Sequence, residues 1–171
     1  MTIARRLTAL LALPLLVLFA LGVFSAMQLA KIETNSRFLS ETQIGSLAAL
    51  GDISRSFAEM RVNLRSALLT EDKAAQARAE ALYREDEQDL DKSLNLYGDS
   101  MVADEKDRRL FNDFRRMSTE WNTEAKKLIS MAASGRRLEA VGAIASGPVP
   151  ELGVRLSKLS AERIKHNEFL A

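Results

Sequence analysis

The run LTALLALPLLVLFALGVFSAMQLA, residues 7–30, contains no charged residue. At 1.5 Å per residue its about 24 residues make roughly 36 Å of helix, enough to cross a ~30 Å hydrocarbon core with some tilt. Arg5 and Arg6 precede it and Lys31 and Glu33 follow it, so charge resumes on both sides where headgroups and water would receive it. A cleaved secretory signal has a shorter apolar core, and a buried helix of this length without a charge is rarer still in a domain of modest size. Pro14 is compatible with a span, because membrane helices tolerate proline better than soluble ones do. The reading is therefore a transmembrane helix within residues 1–30. Arg5, Arg6 and the terminal amine place the N-terminus in the cytoplasm, against a weaker opposing pull from Lys31 and Arg37.

The remaining residues, 31–171, are the length of one ordinary domain. Two of the 24 Lys and Arg and none of the 23 Asp and Glu precede residue 31, so this domain carries a net charge of −1. That balance gives no reason to expect a nucleic-acid partner. Cysteine is absent, which excludes disulfides, thiol chemistry and thiolate metal sites. Proline occurs only at 14, 148 and 150, and Ala, Leu, Glu, Lys and Arg dominate, as in long helices.

Leu50, Ile53, Phe57, Met60, Leu64 and Ala67 recur at alternating steps of three and four, an apolar seam of period 3.5. The first helix is expected over 31–69, with Thr70 or Asp72 capping the next. The second is expected over 73–97, with Ala79, Leu82, Leu90, Leu94 and Tyr97 inward, Asp86 out of pattern, and Gly98 closing it. The third, 104–133, carries Phe111, Phe114, Ser118, Trp121, Ala125, Leu128 and Ala132 at helical spacing, and Ser134-Gly135 ends it. The fourth, 136–171, turns Leu138, Val141 and Ile144 inward, breaks at 147–150, and resumes with Leu152, Leu156, Leu159 and Ile164. No strand or hairpin pattern occurs after residue 30. The fold class is all-α: an N-terminal transmembrane helix continuing into an up-down-up-down antiparallel four-helix bundle.

This arrangement resembles the N-terminal part of a bacterial methyl-accepting chemotaxis protein, its first transmembrane helix and its four-helix-bundle ligand-binding domain. The pieces that carry the resemblance are Ala4-Arg5-Arg6-Leu7 before the span, Glu59-Met60-Arg61-Val62-Asn63-Leu64-Arg65 late in the first helix, Asp104-Glu105-Lys106 opening the third, Phe114 and Trp121, and Gly135 before Leu138-Glu139-Ala140. The resemblance implies a periplasmic sensor domain at the bacterial inner membrane, a homodimer through its first helix, and transmission of a conformational signal across the membrane. It also implies a small-molecule ligand such as an amino acid or organic acid, or a periplasmic binding protein as partner. Arg61-Val62-Asn63-Leu64-Arg65 is similar to the Arg-x-Asn-Leu segment in which receptor arginines bind ligand carboxylates, so Arg61, Asn63 and Arg65 are the candidate ligand-binding residues. A guanidinium suits that task because its planar fork meets a carboxylate with two parallel hydrogen bonds. The family's other arginines are not matched: Ser66 and Thr70 stand at the second and third places. The chain stops at Phe169-Leu170-Ala171, where a second span would begin, so kinase control is expected only with a further C-terminal part. The same bundle would also serve a histidine kinase, a nucleotide cyclase, or a membrane-anchored adaptor that binds protein helices.

Other chemistry is thin. His166 has Glu162 four residues before it, which is neither a metal set nor the Glu-x-x-His spacing of di-iron bundles. Glu85, Asp86, Glu87, Asp89 and Asp91 are interleaved with Arg84 and Lys92 and read as a solvated face. No phosphate loop and no nucleophile with a base can be assembled, so no enzyme, cofactor or metal is expected.

Overall fold

A computed structural model describes residues 16–29 and 44–170, which fall in two separate units, 1–42 and 43–171. In the first unit, α1 is described over residues 16–29, all exposed and none charged. Among the described residues no helix is long and apolar enough to cross a membrane. Residues 7–15 and 30 of the expected span, and 31–43 of the expected first bundle helix, lie outside the described residues.

The described secondary structure of the second unit is helical throughout: α2 (Ile44–Leu69), α3 (Lys73–Ser100), α4 (Glu105–Ala133), α5 (Arg137–Ser146) and α6 (Pro148–Leu170). Its side-chain pairs give the register. Ser46 meets Asn167, Ser54 meets Ser160 and Arg61 meets Ser157, so α6 runs opposite to α2. Tyr97 meets Asp107 and Tyr83 meets Asn122, so α4 runs opposite to α3. With α5 and α6 together forming the last member, this is a four-helix bundle.

Several helix ends have a clear chemical cause. Asp72 accepts from the amides of Ala74 and Ala75 at 3.1 and 3.2 Å, and Asp104 from that of Asp107 at 2.7 Å, satisfying donors that a helix start leaves orphaned. After α4, Gly135 takes φ +86, its amide bonds to Ala132 O and that of Arg136 to Met131 O, a Schellman closure that favours glycine. Arg137 donates to the carbonyls of Leu68 and Thr70, tying the start of α5 to the end of α2. Between α5 and α6, a Cβ on Gly147 would stand 2.6 Å from Ala143 O, so only glycine fits the break, and Pro148 opens α6 where no amide donor is needed.

The expected seam of α2 is buried at all six positions. Three expectations are corrected. Tyr83, not Leu82, faces the core of α3, because its hydroxyl reaches Asn122 at 2.5 Å while its ring stacks on Trp121. Gly98 does not end α3: it lies inside the helix, where a Cβ would meet the Phe111 ring at 2.8 Å, so it is a packing glycine. Leu138 is 88% exposed, because α5 turns Ala140 inward instead.

Tyr83 and Tyr97 make stability pH-dependent. Burial raises both phenols, helped by Glu87 for Tyr83 and by the hydrogen bond to Asp107 for Tyr97. A raised acid binds its proton more tightly in the folded state than in the unfolded state. Its contribution is therefore complete below the ordinary value of 10.0 and is lost as pH rises beyond it. The urea midpoint should fall between about pH 9 and pH 11, and more gently when both tyrosines are replaced by phenylalanine. Equal falls in the two proteins would refute the assignment.

Candidate ligand pocket

The first and last members of the bundle meet around a small pocket. Arg61, Leu64 and Arg65 come from α2, Trp121 from α4, Ile144 from α5, and Val149, Pro150 and Val154 from α6. The α5–α6 break builds one wall, since Val149 and Pro150 lie in the first turn after Gly147. Trp121 is fixed as another wall: its Nε1 donates to Val149 O at 3.0 Å, and its ring stands edge-on to Phe57 at 5.1 Å. Gly153 gives Arg61 and Trp121 room, for a Cβ there would lie 3.4 and 3.5 Å from their nitrogens. The cavity is about 100 Å³. That volume takes a carboxylate group, with the rest of a ligand outside the mouth, since whole small-molecule pockets start near ~300 Å³.

The pocket is electropositive. Arg61 donates to Ser157 Oγ at 3.1 Å and lies 5.9 Å from the Phe57 ring centre, partly buried. Burial, and then the positive charge of Arg65, hold its pKa below the ordinary guanidinium value. Neither Arg61 nor Arg65 forms an ion pair among the described residues, whereas Arg55, Arg115, Arg116, Arg136 and Arg155 each hold a carboxylate or an amide oxygen. Two cations four residues apart, one half-buried and repelled by the other, make a site that an anion would relieve.

The structure brings Arg61 and Arg65 to this pocket and does not bring Asn63 there. A two-residue step turns a helix through about 200°, and Asn63 instead donates to Asp86 Oδ2 at 2.7 Å on α3. That bond also accounts for the out-of-pattern carboxylate of α3. His166 does not pair with Glu162: its Nε2 lies 3.0 Å from both oxygens of Asp104, whose pKa is lowered chiefly by the Asp107 amide and then by this contact. Among the described residues no group of three or more His, Asp or Glu gathers as a metal site.

Sequence reasoning missed a buried polar cluster at one end of the bundle. Arg163 is fully buried, its guanidinium 4.7, 5.3 and 5.4 Å from the ring centres of Tyr97, Phe111 and Phe114. Asp107, also fully buried, accepts from Tyr97 Oη at 2.6 Å and the Ala103 amide at 3.0 Å. Asn167 donates to Tyr97 Oη at 3.0 Å and accepts from Ser46 Oγ at 3.3 Å. The positional signal was available, since residues 163 and 167 continue the α6 stripe of buried Val149, Gly153 and Leu156 and half-buried Ser160 at steps of three and four.

Residues 1–159 match the family described as a four helix bundle sensory module for signal transduction, and the chain belongs to that family. No curated protein and no solved structure matches it.

Proposed function

We propose that the chain is the membrane-anchored sensor domain of a chemotaxis receptor, with its bundle on the periplasmic side of the bacterial inner membrane. The observation that carries this reading is the pair of arginines without acidic partners at the α2–α6 seam, within a sensory-module fold. A carboxylate, from an amino acid or an organic acid, would draw Arg61 and Arg65 onto one group and pull α2 against the Val149–Val154 turn of α6. Such a ligand shifts the bundle only by its difference in affinity for two packings. The anchor is supported by α1, whose described residues are uncharged, apolar over most of their length and exposed, and which lies within the uncharged run 7–30.

Titration calorimetry of the full chain in detergent with L-aspartate and with succinate tests the pocket. Binding that weakens at least about tenfold in Arg61→Ala is expected, the loss of one charge-assisted pair. Binding indifferent to Arg61→Ala would remove the site, and no heat with any small acid would favour a structural or adaptor bundle.

A second copy is the proposed partner. α2 carries a further seam, Ile44, Ala48, Gly51, Ala58, Val62 and Leu69, exposed and spaced by threes and fours with Arg55 and Arg65 in register. Small residues at such positions let two helices approach closely, and Arg65 would place the pocket mouth beside the interface. Because the chain has no cysteine, Val62→Cys gives a clean readout. Mild oxidation should yield a covalent dimer, and a chain that stays monomeric would count against the seam.

A further inference from the structure

α3 and α4 form the most open seam of the bundle, although they are neighbours in sequence. The gap between them is a cavity of about 290 Å³ that reaches down to Met60 on α2, with Leu90 and Leu94 on its apolar floor. This is near the lower end of small-molecule pockets, ~300 Å³. Its rim is polar and mostly tied off. Glu87 accepts from Asn122 and from Lys126 at 2.6 Å each, so its charge is neutralised. Ser118 and Thr119 both donate back to Arg115 O at 2.9 Å.

Two rim charges are left over. Among the described residues Asp91 forms no hydrogen bond or ion pair, and the guanidinium of Arg115 donates only to the neutral Asn95 Oδ1, at 3.1 Å, with no carboxylate as its partner. The two do not pair with each other although they border one cavity. One anion and one cation without ionic partners, with an apolar floor between them, are complementary to a molecule with the opposite pattern.

We propose that the α3–α4 cavity is a second solute site, for a small zwitterion whose ammonium end meets Asp91 and whose carboxylate end meets Arg115, its methylenes lying on Leu90 and Leu94. The spacing selects among zwitterions. Asn95 fixes the level of the Arg115 guanidinium, one helical turn along α3 from Asp91, roughly 6 Å. In an α-amino acid the nitrogen and the carboxylate carbon are only about 2.5 Å apart, whereas three or four intervening methylenes separate them by roughly 5–6 Å. The site therefore prefers an ω-amino acid to an α-amino acid. It shares no lining residue with the Arg61 pocket and stands whether or not that pocket binds carboxylates.

The probe is 5-aminopentanoate, titrated into the full chain in detergent by calorimetry, with glycine, pentanoate and pentylamine as controls. Saturable binding of 5-aminopentanoate is expected, with each control at least about tenfold weaker because each lacks one end or the spacing. Asp91→Asn and Arg115→Gln should each weaken binding by a similar factor, and both positions are exposed, so helix content by circular dichroism should stay unchanged. Arg61→Ala should leave this binding unaltered. No saturation by about 10 mM, equal binding of pentylamine, or binding insensitive to both rim substitutions overturns the proposal. Loss of binding in Arg61→Ala would transfer the ligand to the other pocket and overturn it equally.

Discussion

Replacing Asp107 by alanine should destabilise the bundle by about 3–5 kcal/mol, the cost of leaving a buried charge without its counter-charge. Burial holds the pKa of the Arg163 guanidinium below its ordinary value, opposed by Tyr97 and then by the field of Asp107, the carboxylate that acts on it. None of the three guanidinium nitrogens has a hydrogen-bond partner among the described residues, so only this field and the three surrounding rings compensate the charge. The same substitution deprives the Tyr97 hydroxyl and the Ala103 amide of their acceptor. Against a total stability of ~5–15 kcal/mol the loss is large, and it should lower Tm by roughly 10–20 °C. The control removes both charges. Asp107→Asn with Arg163→Met keeps the shape of the acid, gives Tyr97 an oxygen to bond, and puts a flexible apolar chain among the three rings. That pair should return to within about 1–2 kcal/mol of the parent, since apolar replacement of a buried ion pair is often neutral. Thermal and urea unfolding followed by circular dichroism decide it. Asp107→Ala as stable as the parent would mean that the guanidinium is solvated and the cluster carries no strain.

The cluster also shows where the sequence could be read and where it could not. The seam from Leu50 to Ala67 was legible because every member is apolar, so period and chemistry agree. At Asp107, Arg163 and Asn167 they disagree. Position 107 lies four before Phe111 on the α4 stripe, and 163 and 167 lie on the α6 stripe, but a charged or amide side chain reads as solvated. Only the ring cage supplied by Tyr97, Phe111 and Phe114 from two other helices makes burial tolerable, and a contact between helices leaves no mark in local periodicity. Leu82 and Tyr83 fail the same way: leucine looks more apolar, yet tyrosine both stacks on Trp121 and finds Asn122 across the seam. For the candidate pocket, Arg61 and Arg65 could be read from their four-residue spacing, which puts them on one face. The wall made by Val149, Pro150 and Val154 could not, because the register of α6 on α2 is set by packing along the whole bundle.

Trp121 is where that packing and the pocket meet, and its truncation should match the loss of Asp107 in damage to the core. The side chain is 1% exposed, stands edge-on to Phe57 from α2 and stacks on Tyr83 from α3 at 6.4 Å, and hydrogen-bonds Val149 O of α6. It therefore touches every other long helix of the bundle. Trp121→Ala should cost about 3–5 kcal/mol from lost burial and the cavity left behind. Because this is the only tryptophan, unfolding must be followed by circular dichroism, not by intrinsic fluorescence. Trp121→Phe separates the two roles. A phenyl ring keeps much of the contact with Phe57 and Tyr83 but cannot donate to Val149 O, so the fold should survive while the first turn of α6 loses its tie to α4. The expected signature is a small drop in urea midpoint together with faster amide exchange confined to the start of α6, around Val149–Val154. If ligand at Arg61 acts by drawing α2 against that turn, aspartate or succinate should restore protection there in Trp121→Phe. Exchange that is unchanged by the substitution would show that α6 is held by its own stripe alone, and that Trp121 serves the core without serving the pocket.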